Sequence, residues 1–337
     1  MYLLRFIYRI LARVRYVLST CKKEEKRATI CLHALEQQFG GVLDEETFKK
    51  IVHSYAIYVP MMCDAFTSLQ GRKTNSAERD RMLHYFICSS LFDNFCDRKE
   101  LPADALRRIM FSPENYPAQR MEERLFLHSY LLLRSTVPEK DAYREALERL
   151  TEAQIASDKQ FDKSTSDVEI ERITFEKGGY SVLLCRFCLD GPSSATEKRC
   201  WYQAGRIIQL TNDLYDIHKD LQEHSETLPN RMRDAYAFDR FFSALVQDLQ
   251  DEIVQLPFPA ERKQDLVISL AGICSFGKLA LHRLKKIQGS KPQLPDLGSL
   301  PRKSLIVDME KPASMWYCVK YVYRQAKRHR EMINQSR

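Results

Sequence analysis

The chain has 337 residues, 44% of them apolar, and only 11 glycines, a composition of long helices joined by short breaks that excludes a strand-rich sandwich. Its net charge of +7, from 52 basic and 45 acidic residues, is modest and sits mostly near the two ends. A nucleic-acid partner is not expected, since no dense basic stripe with interleaved aromatics occurs; an anionic substrate or an acidic membrane surface suits the balance.

The opening segment, residues 1–20, carries apolar residues around Arg5, Arg9 and Arg13. Four arginines within its first 15 residues exclude a conventional spanning helix. Three readings stand open: the amphipathic first helix of the domain, an interfacial membrane-surface helix, or a targeting presequence. Residues 21–337 then form one helical domain. Helical periodicity predicts helices over 2–18, 24–38, 45–69, 77–98, 101–110, 118–135, 139–159, 166–189, 193–223, 231–254, 260–286 and 313–333. Within 166–189 a break is expected at Gly178-Gly179, because paired glycines cost a helix about 2 kcal/mol against alanine. Gly289 to Ser304, rich in proline and glycine, reads as a loop or lid. No strand pattern and no repeat appears, so the fold class is an all-α, single-domain multi-helix bundle.

Ten cysteines do not make a disulfide scaffold here, and the lone Cys185-x-x-Cys188 lacks the second pair of a zinc ribbon. Cys31, Cys88 and Cys274 also sit in apolar helical stretches, where a thiol behaves as a small hydrophobe. The usage fits a reducing, cytoplasmic setting.

Chemistry concentrates in two acidic helices. In His84–Leu101, Asp93 and Asp97 stand four apart, neighbours on a helix at the end of an apolar face that includes Phe86. In Arg206–Glu223, Asn212, Asp216 and Asp220 recur every four residues, with Asp213 one residue off the stripe and so pointing away. Like charges at that spacing destabilise a helix by a few tenths of a kcal/mol and so ask for a reason. Oxygen ligands without histidine or thiolate select a hard cation, above all Mg²⁺, held by a few carboxylates and substrate phosphates. A di-iron bundle needs Glu-x-x-His pairs, and none of the eight histidines has a glutamate three residues before it.

At these residues the chain resembles the class I isoprenoid synthases, closest to the squalene/phytoene synthase and large-terpene synthase branches. The run Asp93-Asn94-Phe95-Cys96-Asp97 is similar to the family's first acidic motif, and Leu210-Thr211-Asn212 through Asp216 to Asp220 to its second. The resemblance implies a helical bundle with a central active-site cavity, in which three Mg²⁺ ions held by Asp93, Asp97, Asn212, Asp216 and Asp220 bind a prenyl diphosphate. It implies a terpene synthase or prenyltransferase, with catalysis resting on those five residues. Lys177-Gly178-Gly179-Tyr180 falls where family members carry a helix break and diphosphate-facing groups. Arg98, Arg206 and Lys219 adjoin the acidic motifs and are either phosphate contacts or partners of the aspartates. Phe86 and Tyr180 are the ring candidates for stabilising a carbocation, at about 0.5–2 kcal/mol each.

Departures from the family pattern shift the placement within it. Asn94 stands where an aspartate-rich motif carries a second acid, and Asp replaces Ser and Glu of the terpene-cyclase triad. Both favour the squalene/phytoene-like branches. The last helical segment is too charged to span a membrane, unlike that of eukaryotic squalene synthases. The alternative class is a non-catalytic helical prenyl-lipid binding or assembly protein that keeps the fold, against which all five oxygen ligands argue.

Overall fold

The structure, a computed structural model, describes the backbone of residues 2–335 and the side chains of residues 6–333. Arg5 therefore lies outside the described side chains. Among the described residues the chain is helical throughout, with no strand.

The first helix, α1, runs unbroken over Tyr2–Phe39, so the expected gap between residues 18 and 24 does not exist. No proline or glycine interrupts it before Gly40, which ends it with φ +67°. The charged run Lys22 to Arg27 adjoins that expected gap, yet its Glu24 is fully buried. There Glu24 accepts the Tyr55 hydroxyl at 2.7 Å and Arg79 Nη1 at 2.7 Å, which holds the helix through the polar turn. A buried carboxylate needs such partners to be tolerated.

The second helical segment is interrupted. After α2 (Glu45–Tyr58), capped by Asp44, a π turn spans Val59–Cys63 before the short α3 (Asp64–Thr67) and a final 3₁₀ turn at Ser68–Gln70. Pro60 has no N–H, so the ladder slips and Asp64 N donates five residues back to Val59 O. Next, α4 (Ser76–Asp97) opens on an Asn75/Glu78 capping box. It closes at Arg98 and at Lys99, whose φ is +52°. The helices α5 (Ala103–Phe111), α6 (Met121–Thr136) and α7 (Lys140–Ala156) follow close to expectation. So do α8 (Asp167–Phe187), α9 (Ala195–Gln222), α10 (Ala235–Gln255) and α11 (Ala260–Gln288). A loop with one 3₁₀ turn leads to the short α12 (Arg302–Leu305) and then α13 (Pro312–Gln335).

The described residues group into two compact units. One takes the chain up to Ile155 together with Leu184–Ser193; the other takes Ala156–Leu183 and the chain from Ser194 onward. In the first unit α1 packs on α2, and α4 packs on α6 and α2, around Ile51, Met82, Phe95 and Phe126. In the second, α11 packs on α13, α9 and α10, around Trp201, Phe242 and Leu266. Among the described helices α11 is long and apolar enough to cross a membrane, but 67% of its apolar window is buried, as in the core helix of a bundle.

Candidate functional site

The acidic face of α9 is built differently from its sequence expectation. Asp213, set aside as pointing away, is buried, whereas Asn212 is exposed and makes no side-chain hydrogen bond among the described residues. Arg206, Gln209, Asp213, Asp216 and Asp220 recur at three- and four-residue intervals and therefore share one face. Gln209 Nε2 donates to Asp213 Oδ1 at 2.8 Å. No described base lies within salt-bridge distance of Asp213, Asp216 or Asp220.

The electrostatics follow from that arrangement. Burial pushes the Asp213 carboxyl up to about 6, with neighbouring Asp216 adding to the rise and Lys177 of α8 opposing it. Burial likewise lifts Asp220 to about 7, helped by the charges of Asp213 and Asp216. Asp216 is an exposed residue, yet partial desolvation of its carboxyl raises its pKa, opposed by Lys219 and aided by Glu223. Asp216 and Asp220 also sit in the last two turns of α9, at the negative end of its dipole, where a carboxylate is disfavoured by about 0.3–1 kcal/mol. Three carboxylates thus share one face, with Lys177 and Lys219 acting on them only from beyond salt-bridge distance.

The expected break at Gly178-Gly179 does not occur, and α8 continues through both residues. The glycines serve a helix crossing instead. A Cβ on Gly178 would come within 2.5 Å of Gly205 O on α9, and one on Gly179 would overlap the Tyr202 ring. Backbones that approach so closely tolerate only glycine. The backbone N–H groups of this segment are therefore spent inside the helix rather than offered to a ligand. Around the crossing, Lys177 is half-buried, and the Tyr180 ring meets Tyr202 edge-on at 5.1 Å. Arg206 lies over the Phe175 ring at 4.0 Å and donates to Gln203 Oε1 at 2.7 Å, while its buried Nε has no acceptor. Burial lowers the Arg206 pKa, the sign of a guanidinium short of counter-charge. Lys219 is exposed.

The end of α4 is more completely partnered. Asp93 Oδ2 accepts Lys50 Nζ at 3.0 Å, and Asp97 Oδ1 accepts Gln154 Nε2 at 3.3 Å. Asn94 Nδ2 donates to Thr47 Oγ1 at 2.6 Å, so the residue that departs from the family motif braces α4 against α2. Arg98 pairs with Asp44 and Glu46, each at 3.0 Å, and with neither motif aspartate. Phe86 is buried, with its ring 5.1 Å from Tyr58 beside the π turn.

The donor set can be tested against a hard cation. Among the described residues no group of three or more His, Cys, Asp or Glu side chains is arranged to hold a metal ion by itself. The α9 stripe does offer oxygens of the type that suits Mg²⁺: they repel one another, and no described base lies within salt-bridge distance of them. Mg²⁺ keeps several waters and leans on substrate phosphates, so an open stripe suits it better than a cage. Sequence reasoning missed Asp213 by following a strict four-residue step; the three- and seven-residue spacing to Asp216 and Asp220 was the signal that finds it. The cysteines are free and mostly buried, Cys185 and Cys188 among them.

In comparisons with known proteins, no family model matches this sequence and no curated protein matches it.

Proposed function

We propose that this protein is a Mg²⁺-dependent enzyme of the class I isoprenoid synthase type, which ionises an allylic prenyl diphosphate of farnesyl length or longer and releases diphosphate. The observation that carries the reading is the α9 stripe: Asp213, Asp216 and Asp220 on one face, with raised carboxyl pKa values and no basic partner. The resemblance would add Asn212 and the Asp93/Asp97 pair of α4 as further oxygen ligands. Bound Mg²⁺, three ions by that resemblance, would supply charge to hold the diphosphate and to stabilise it as it departs.

The chain's own residues do the rest. The unpartnered Nε of Arg206 and the half-buried Lys177 support a role for both in attracting phosphate oxygens. Tyr180 with its ring partner Tyr202, and Phe86 with Tyr58, are the aromatic faces that would stabilise a cation in this reading. The product is a cyclic or linear terpene, or a prenyl-coupled one. The alternative is a non-catalytic prenyl-lipid binding or assembly protein, favoured by the ion pairs that close the end of α4, Lys50–Asp93 and Arg98–Asp44.

The deciding assay is Mg²⁺-dependent diphosphate release from farnesyl, geranylgeranyl and geranylfarnesyl diphosphates, with products extracted for mass spectrometry. Release that requires Mg²⁺ and is lost in Asp216→Ala supports the enzyme. No release with any chain length rejects it in favour of the binding protein.

A further inference from the structure

We propose that the N-terminal half of α1 docks this protein onto an anionic lipid surface. The inference stands apart from the proposed chemistry. Ile7, Leu11, Val14 and Leu18 recur at four- and three-residue steps, so they form one continuous apolar stripe along the helix. All four are exposed, Leu11 at 63% and Leu18 at 60%, and Tyr8 lies beside them. Further along the same helix, Ala28 and Leu32 are fully buried. The helix therefore contributes to the core in its second half, while the Ile7–Leu18 stripe of its first half stays uncovered.

The bare half is held in place from behind. Arg13 Nη2 donates to Pro60 O at 2.8 Å, Tyr16 donates to Asp64, and Phe6 is buried. These contacts fix the opposite side of the helix and leave the stripe facing outward. From Ile7 to Leu18 the stripe is about 16 Å long, too short to span a bilayer but suited to lying in its interface.

Charge decides the occupant. The first 23 residues contain no Asp or Glu, and Glu24 is the first acid in the chain. Arg15 and Lys22 are exposed next to the stripe. Apolar side chains flanked by unopposed cations match anionic headgroups over acyl chains. A second copy of the chain would set this acid-free face against itself, which like charges oppose.

The test is flotation of the full chain with vesicles of phosphatidylcholine alone or with about 30 mol% phosphatidylserine. Binding to the anionic vesicles should exceed binding to the neutral ones by about tenfold or more, and fall as salt rises from about 0.1 M to about 0.5 M. Leu11→Asp/Leu18→Asp should weaken it at least about tenfold by removing apolar insertion. Arg15→Glu/Lys22→Glu should weaken it to a similar degree through charge alone. Both variants change exposed side chains, so circular dichroism and the thermal midpoint should stay at the wild-type values. Equal binding to both vesicle types overturns the proposal, as does full binding by both variants. So does a vesicle-independent dimer, seen by sedimentation, that Leu11→Asp/Leu18→Asp dissolves, since the stripe would then be a protein interface.

Discussion

The acidic end of α4 and the acidic stripe of α9 use the same residue type at related spacings, and each lies at the negative end of its helix. They differ in what surrounds them. Asp93 has Lys50 at 3.0 Å, 43 residues away in sequence, and Asp97 has Gln154. Asp213, Asp216 and Asp220 have no described base in reach, and burial drives two of them toward neutrality, to about 6 and about 7. Carboxylate spacing alone says which side chains are neighbours. Whether they still need a cation depends on remote residues that the spacing does not reveal.

The largest expected effect is on catalysis. Asp216→Ala should lower Mg²⁺-dependent diphosphate release on the order of 10²–10³-fold, the scale of losing one preorganised electrostatic contact to a transition state. Asp93→Ala tests the other side of the comparison. A loss of similar size, with the double variant no worse than either single one, would mean the two helices act as a unit. A small loss in Asp93→Ala alone would assign metal binding to α9 and leave α4 a structural role.

The next effect is on the scaffold of the stripe. Gly205→Ala puts a methyl group against the backbone of Gly178 and Gly179, where rigid backbone, not a flexible side chain, must give way. Overpacking of this kind costs roughly 1–3 kcal/mol, readable as a drop in thermal midpoint. Alanine at the open Gly272, where a Cβ meets nothing within 4 Å, should leave the midpoint unchanged or slightly higher. If Gly205→Ala melts like the wild type, the close crossing of α8 and α9 is not what positions Asp213.

Protonation separates the two regions next. The Asp213 carboxyl rises from its ordinary value of 3.8 to about 6 on folding, so the folded state binds more protons than the unfolded one between those values. Its contribution to stability is then full below about pH 4 and lost as pH rises through about 6, and Asp220 extends the window to about 7. Metal-free protein should therefore melt at higher temperature near pH 5 than near pH 8, as far as these groups decide it. Asp213→Asn should remove part of that slope, on the order of 3 kcal/mol at pH 8. Millimolar Mg²⁺ at pH 8 should raise the wild-type midpoint more than that of Asp213→Asn. A slope that persists unchanged in Asp213→Asn would place the titrating group elsewhere.

Much of this was legible in the sequence. Helix periodicity, scarce glycine and the Gly289 to Ser304 loop located the helices, and residues 93, 97, 216 and 220 marked the acidic ends. The misses have local causes. A gap is read between residues 18 and 24 because nothing in sequence says that Glu24 meets Tyr55 and Arg79, 31 and 55 residues on. Gly178-Gly179 reads as a break because propensity counts the missing side chains as a loss, whereas Gly205 uses them as room. Pro60 lies inside one expected helix over 45–69, because the apolar period runs on past it; its missing N–H turns the ladder into one π turn there.

The smallest expected effect falls on the pair that distinguishes α4 from α9. Lys50 and Asp93 are 40% and 34% exposed, so their ion pair contributes no more than about 1 kcal/mol and is screened by salt. Lys50→Ala should leave the thermal midpoint within about a degree or two. Its consequence for binding has a definite sign. If α4 takes part in holding Mg²⁺, Lys50 competes with the ion for Asp93, and removing it should lower the Mg²⁺ concentration for half-maximal activity by a few-fold, most clearly at low salt. If the ion pair only ties α4 to α2, that concentration should not move. A rise in it, with the midpoint unchanged, would instead make Lys50 a phosphate contact, and the end of α4 would then bind substrate through its base rather than its acids.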